Sequence, residues 1–464
     1  MTNYDLLVIG SGPAGQRAAI SGAKRGKRVA LVESRSTLGG VCTNTGTIPS
    51  KTLREAVLHF SGYKYRSIYG LNYQVKETIS MADLTFRVNH VINREIEVIQ
   101  SQLSRNGIDI LSGVACFIDQ TTIQIDGLKG SYQVEAKNVV IATGTKPAVS
   151  TKVPINGRNI INSDQIFGLQ ELPKTLIVVG GGVIGVEYAS MFAALGIRVT
   201  LIEKRPALLE FADHEIIETL SYHLRDSRVT IRLNEEVESV DEQNDGTVVA
   251  NLESKKRISG GALLYAVGRA GNIDGLNLSA VGINADSRGR IAVDKDFRTN
   301  TPNIFAIGDV IGFPSLASVS MEQGRVAVAK MYGDESVQSN AIAYPYGIYT
   351  VPEISFVGKT EEQLTNEDVP YEVGVAYYRE IARGQISGDT TGRLKLIFHR
   401  DSHAILGVHI IGEGATELIH IGQAVMVLNG TVDYFVDAVF NYPTLAECYK
   451  AAAFNGINRM ASFN

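Results

Sequence analysis

One stretch of this chain occurs twice, and that repeat leaves few folds open to it. Residues 6–33 are LLVIGSGPAGQRAAISGAKRGKRVALVE and residues 176–203 are LIVVGGGVIGVEYASMFAALGIRVTLIE. Each copy runs from an apolar strand through a Gly-x-Gly-x-x-Gly turn into a helix of small residues, then a second apolar strand closed by a glutamate. The glycines are Gly10, Gly12 and Gly15 in the first copy and Gly180, Gly182 and Gly185 in the second. The closing acids are Glu33 and Glu203, 23 residues past the first glycine in both (33−10 and 203−180). A lone motif of this kind is weak evidence, but two in a strand–turn–helix–strand setting with matching acids are strong. The first glycine makes the tight turn, the second admits a pyrophosphate to the backbone, and the third lets helix and strand pack closely. The helix N-terminus then offers free N–H groups to phosphate, and the glutamate accepts from a ribose diol. The sequence therefore predicts an α/β chain with two Rossmann-like dinucleotide-binding domains.

The rest of the chain is arranged around these units. Helical spacing covers 53–105, and 108–145 is strand-rich and ends in VVIATGT. Residues 228–270 alternate like a small β-meander ending in LLYAVGR, and 301–309 form a buried strand running into Gly308-Asp309. From about 341 the pattern changes to antiparallel strands at 346–358 and 393–411 and helices at 415–429 and 444–460, a separate α+β domain. A net charge of −5 argues against a nucleic-acid partner. Three scattered cysteines, Cys42, Cys116 and Cys448, form no disulfide framework and suit a reducing compartment. Residues 4–9 already read as a strand, which leaves no room for a signal peptide, and no apolar run reaches the ~18 residues of a membrane helix. A cytoplasmic protein with no membrane or metal partner is expected.

Several further motifs give the chain its resemblance. They are GGVCTNTGTIPSK at 39–51, ATG at 142–144, GR at 268–269, Gly308-Asp309 and NYPTLAE at 441–447. With the two glycine turns, these resemble the FAD- and NAD(P)-dependent pyridine nucleotide–disulfide oxidoreductases nearly end to end. The resemblance implies an FAD-binding domain over 1–155 and 275–340, an NAD(P)-binding domain over 156–274, and a dimerisation domain over 341–464. It implies noncovalent FAD on Gly10, Gly12, Gly15, Glu33, Cys42, Thr47, Lys51, Thr143, Gly144 and Asp309. Tyr442 would reach the flavin of the partner in a homodimer or larger homo-oligomer. NAD or NADP would use Gly180, Gly182, Gly185, Glu203 and Gly268. Lys51 beside the flavin and Glu187 near the nicotinamide would be the catalytic residues.

Two departures from that family bear on the reaction. Its disulfide-reducing members carry Cys-x-x-x-x-Cys before Ile-Pro-Ser-Lys, whereas here the positions hold Cys42 and Thr47. Holding two electrons as a dithiol takes two sulfurs. Those members also place a histidine before Pro-Thr-Leu, where this chain has Tyr442, whose phenol titrates near 10 and is a poor proton shuttle at neutral pH. Electrons entering from a nicotinamide would then have to leave from the flavin itself. The stretches GRAGN (268–272) and GIYTVPEISFVGKTE (347–361) are similar to the soluble pyridine nucleotide transhydrogenases within the family. The expected reaction is hydride transfer between NADPH and NAD through FAD. The alternatives are an NAD(P)H dehydrogenase that reduces a quinone or another direct flavin acceptor, and a non-enzymatic FAD-bound scaffold. Glu203 suits the 2′-hydroxyl of NAD and repels the 2′-phosphate of NADP. Lys204 and Arg205, which follow at once, either pair that phosphate or are solvated loop charges.

Overall fold

The structure, a computed structural model, describes residues 2–70, 72–337 and 344–461. The domain boundary expected at 340/341 lies outside the described residues. The chain divides into two compact units: Met1–Leu53 with Thr85–Val149 and Gly268–Ser339, and Arg54–Leu84 with Ser150–Val267 and Asn340–Asn464. The fold is mixed α/β.

The first unit is built on a seven-stranded sheet. Strands Asp109–Ser112, Val29–Glu33, Thr2–Ile9 and Gly130–Ile141 lie side by side in parallel. Gly130–Ile141 is long enough to serve two partners along its far edge. Its first half pairs antiparallel with Thr122–Gly127, which pairs with Val114–Phe117, and its last residues pair in parallel with Ile304–Ala306. Thr2–Ile9 lacks polar alternation because both of its faces are covered. Leu7 and Ile9 enter one apolar cluster and Leu6 and Val8 another, as expected of a central parallel strand. On one face, helix Pro13–Ala23 packs so closely on helix Ala317–Met331 that a Cβ on Gly324 would stand 2.4 Å from the Ala14 carbonyl oxygen.

The second unit carries two sheets and an added meander. One sheet is fully parallel, in the order Thr230–Arg232, Arg198–Ile202, Thr175–Val179, Ala262–Tyr265, Ile160–Asn162. The meander expected over 228–270 is shorter than its sequence span. Only Val237–Glu242, Val248–Leu252 and Arg257–Gly260 form it, while both ends of that span join the parallel sheet. The reason lies in composition: ALLY at 262–265 is apolar without a break and almost wholly buried, so it suits a central parallel strand better than a meander edge. The C-terminal sheet is antiparallel, in the order Tyr346–Ile348, Ile354–Gly358, Ile405–Ile411, Arg393–His399, Tyr371–Tyr377. Helices Ala415–Val427, Val432–Asp437 and Glu447–Ala461 contribute to the same apolar cluster.

The repeat extends further than the two GxGxxG segments. Leu6 pairs with Val29 and Leu176 with Val199, a constant offset of 170. A third strand joins each copy on the other side, ending at Ile141 and Tyr265, and the next residues, Ala142 and Ala266, donate their amides to the Ile9 and Val179 carbonyl oxygens at 2.8 Å.

Candidate functional site

The three glycines of each turn do three separate jobs. Gly10 and Gly180 sit at φ +107° and +110°, and a Cβ there would lie 2.4 Å from the Ala142 and 2.6 Å from the Ala266 carbonyl oxygen. Gly15 and Gly185 lie beneath their turns, where a Cβ would come within 1.9 and 1.8 Å of the carbonyl oxygens of Gly10 and Gly180. Gly12 and Gly182 differ from both. Their backbones are extended (φ −64°, ψ 177° and φ −79°, ψ −177°), and a Cβ on either would meet nothing within 4 Å. No protein contact requires glycine there, whereas a pyrophosphate against the backbone would. Both helices also begin with no side-chain cap and no acid in the first turn, so their leading N–H groups remain for an anion.

In the first unit a cavity of about 310 Å³ opens over this turn. Its wall brings together Gly10, Gly12, Glu33, Cys42, Thr47, Thr143, Gly144 and Asp309 from six separate stretches of chain. Thr143 Oγ1 is buried with no hydrogen-bond partner, a polar group left for a ligand. Glu33 is buried and fixed in place: Oε2 accepts from Ser11 N and Ser11 Oγ, and Oε1 from Arg35 N. Burial raises the Asp309 pKa, against the pull of Arg269, Thr145 and Ser320. These features fit a bound dinucleotide such as FAD.

Cys42 and Thr47 meet at the cavity wall. Burial pushes the Cys42 thiol up, and the Thr47 side chain beside it pulls the other way. A thiol held protonated is a poor nucleophile. All three cysteines are free. Lys51 lies one turn past Thr47 on helix Thr47–Ser61, half-buried and outside the cavity wall. Sequence reasoning missed Ser11, Asn272 and Ser320, which the fold brings to the same cavity. Ser11 had a signal as the residue between the first two glycines and Asn272 as the last residue of GRAGN, whereas Ser320 had none.

In the second unit Glu203 is buried at the end of its strand, beside the glycine turn. Its Oε2 accepts from Gly181 N at 2.5 Å and its Oε1 from Arg205 N at 2.8 Å. The Arg205 guanidinium also grips it, with Nε 2.9 Å from Oε1 and Nη2 3.1 Å from Oε2. Burial alone would raise the Glu203 pKa, but Arg205 and the two amides outweigh it and hold the carboxyl below its ordinary value. Neither basic residue after Glu203 is a free loop charge, since Lys204 pairs with Glu236 at 2.5 Å. Glu187 is buried on helix Val183–Ala194, and its Oε1 accepts from Tyr349 N at 2.8 Å. Gly268, at φ +77°, follows the third strand of this copy but groups with the first unit. Tyr442 is 73% exposed, and Glu447 Oε2 nearby is buried with no hydrogen-bond partner.

Two glycine turns, each opening a helix at the carboxyl end of a parallel sheet, define an oxidoreductase architecture with two dinucleotide-binding units. The chain belongs to the pyridine nucleotide-disulphide oxidoreductase family: residues 4–324 match the model of that family and 344–453 that of its dimerisation domain. It is 51% identical over 466 residues to the soluble pyridine nucleotide transhydrogenase of Mycobacterium bovis (strain BCG / Pasteur 1173P2), covering 100% of this chain and 99% of that one. The protein of the same name from Hahella chejuensis is 46% identical, covering 98% and 99%. Among solved structures it is similar to the HOCl-induced flavoprotein disulfide reductase RclA from Escherichia coli, at 30% identity and TM-score 0.88, over 97% and 99% of the two chains. It is also similar to LpdA from Mycobacterium tuberculosis, at 26% identity and TM-score 0.89, over 98% and 99%. Among the described residues no helix is long and apolar enough to cross a membrane.

Proposed function

We propose that this chain is a transhydrogenase that passes hydride between NADPH and NAD by way of a noncovalent FAD, without a redox-active disulfide. The carrying observation is the lone sulfur at the cavity wall, with Cys42 facing the Thr47 hydroxyl where a dithiol needs a second thiol. The near-full-length likeness to proteins named soluble transhydrogenases supports the same reading.

FAD, when bound, supplies a two-electron carrier that both takes and returns hydride. The chain's own residues bind and orient. The Gly10–Gly12–Gly15 turn and the start of helix Pro13–Ala23 hold the pyrophosphate, and Glu33 takes the ribose. Thr143, Gly144 and Asp309 face the remainder of the cofactor, with Cys42 and Thr47 as wall. Lys51, one turn past Thr47, would present its ammonium to the flavin, where preorganised positive charge favours the reduced form. Gly180, Gly182, Gly185, Glu203 and Gly268 take the nicotinamide dinucleotide, and Glu187 positions its reactive end. We keep the division into 1–155 with 275–340, 156–274 and 341–464 as FAD, nucleotide and dimerisation domains. The working assembly is a cytoplasmic homodimer in which Tyr442 of each chain closes the partner's site.

The sequence holds one nucleotide turn besides that for FAD, so donor and acceptor take turns at it. The test is anaerobic reduction of thio-NAD by NADPH with the purified holoenzyme and no other component. Parallel lines in double-reciprocal plots are expected. Intersecting lines would require a second nucleotide site, and fast quinone reduction with none of thio-NAD would make the protein an NAD(P)H–quinone reductase.

A further inference from the structure

The two turns share a register, yet their carboxylates are held differently. Ser11 and Gly181 occupy the same place, each 22 residues before its glutamate (33−11 and 203−181). Glu33 is held by neutral donors only: two backbone amides and the Ser11 hydroxyl, with Ser34 Oγ at 3.4 Å. Glu203 has the same two backbone amides, but the hydroxyl is gone and the Arg205 guanidinium takes its part. Position 181 has no room for a serine. A Cβ there would stand 2.6 Å from Leu208 Cδ2 and 2.9 Å from Glu203 Oε2.

From this difference we infer that Arg205 is a specificity latch that lets one nucleotide turn accept both a 2′-hydroxyl and a 2′-phosphate. The inference rests on the reading that NAD and NADP share this turn. With a diol present, a ribose hydroxyl takes the place of one of the two guanidinium bonds, and Arg205 stays on Glu203 through the other and neutralises it. With a 2′-phosphate present, the guanidinium turns to the more highly charged anion, which it pairs in the same bidentate fashion.

Two features make that exchange feasible. The Arg205 side chain is 42% exposed, and its one other acidic partner among the described residues, Glu210, is 3.7 Å away and 40% exposed. Glu203 keeps the Gly181 and Arg205 amides after the guanidinium leaves, so no buried carboxylate is stranded. A second cation stands by: Lys204 shares Glu236 with Lys152, so it too can turn to the phosphate without leaving Glu236 unpaired. Glu33 accepts from neutral donors only, and the Arg35 side chain, at the place of Arg205, lies exposed at the cavity wall with no bond to that carboxylate among the described residues.

The test is calorimetric titration of the FAD-loaded protein with 2′,5′-ADP and with ADP. Arg205→Gln should weaken 2′,5′-ADP roughly 10- to 100-fold, the effect of losing one charge-assisted bidentate contact. It should change ADP by less than about threefold, as for a partly exposed pair. Glu203→Gln should act in the opposite sense and tighten 2′,5′-ADP, which keeps the test decisive if the arginine variant loses its fold. Equal weakening of both ligands by Arg205→Gln, or none of either, overturns the latch, as does weaker 2′,5′-ADP binding by Glu203→Gln. Binding discrimination as expected, in a wild-type protein that fails to reduce thio-NAD with NADPH, would overturn the transhydrogenase reading and leave the latch standing.

Discussion

Replacing Gly12 with alanine separates what the first glycine turn does for the fold from what it does for a ligand. At φ −64° and ψ 177° the position suits any residue, and the new methyl would touch no protein atom within 4 Å. Such a substitution stabilises by about 0.4–1 kcal/mol, because the unfolded chain loses freedom and the folded one loses nothing. Gly15→Ala, three residues on, drives its Cβ to 1.9 Å from the Gly10 carbonyl oxygen. That overlap needs a backbone shift, at a cost of about 1–3 kcal/mol or more. For FAD the ranking reverses in meaning: the Gly12→Ala methyl stands where the pyrophosphate must approach. Losing one amide–phosphate hydrogen bond costs about 1.5–3 kcal/mol, or roughly 10- to 100-fold in affinity. The assay pairs thermal unfolding of the apoproteins with FAD titration followed by flavin fluorescence. Gly12→Ala should melt at or slightly above wild type and bind FAD weakly, whereas Gly15→Ala should melt well below it. An apo Gly12→Ala protein as unstable as Gly15→Ala would refute the reasoning, and so would unchanged FAD affinity.

Cys42→Ser should keep at least about half of the nucleotide-dependent activity, because no second sulfur exists for a dithiol; a loss beyond about tenfold with FAD retained would give Cys42 a chemical role. Lys51→Ala should slow reduction of the bound flavin by NADPH in stopped flow, and an unchanged rate would place its ammonium away from the flavin. Lys395 is 1% exposed and pairs with Asp213 at 2.8 Å, with Glu361 and Glu215 also in contact. Lys395→Met should cost about 3–5 kcal/mol by stranding buried charge, measured by denaturant unfolding, and adding Asp213→Asn should recover part of it. Burial raises the Asp213 pKa, but His409, Lys395 and the Ile216 amide outweigh it and set the folded value below the ordinary one. Its contribution to stability is thus present at neutral pH and is lost as pH falls below about 4, through that lower folded pKa. A pH–stability profile of Asp213→Asn as steep as wild type in that range would remove it from the account.

The elements that run on local pattern were legible from the sequence. The repeated strand–turn–helix–strand units, the helices at 415–429 and 444–460 and the hairpins of the C-terminal sheet follow from periodicity and turn residues. Strand Tyr371–Tyr377 was not anticipated, although YEVGVAY is rich in β-formers, and helix Val432–Asp437 is too short to show a period. The ends of the 228–270 span were misjudged because an apolar run of four residues looks alike in a meander and in a central parallel strand. The site was legible wherever residues act through their backbone. What stayed hidden was which side chains are already engaged. Arg205 and Lys204 look equivalent in sequence, yet one grips Glu203 and the other Glu236.

The long motif at 347–361 is tied to the rest of the second unit through its backbone. Three consecutive residues from it dock on other elements of the second unit through their main chain. Tyr349 N donates to Glu187, the Thr350 carbonyl accepts from Arg54 Nε at 2.9 Å, and Val351 N donates to Ser190 Oγ at 3.0 Å. Glu187 and Ser190 lie one turn apart on the helix that opens at Gly182, so the loop clamps that helix at two points. Glu187 was expected to act near the nicotinamide, and its Oε1 is already committed to the Tyr349 amide. Glu187→Gln keeps an acceptor for Tyr349 N and removes only the charge, whereas Glu187→Ala also strands a buried donor, at about 1–3 kcal/mol. Comparing the two divides the residue's roles. If Glu187 acts by charge, both variants should slow flavin reduction alike and only the alanine should lower the melting temperature. If both keep the wild-type reduction rate while the alanine alone is less stable, Glu187 is a clamp for the loop and its catalytic assignment falls.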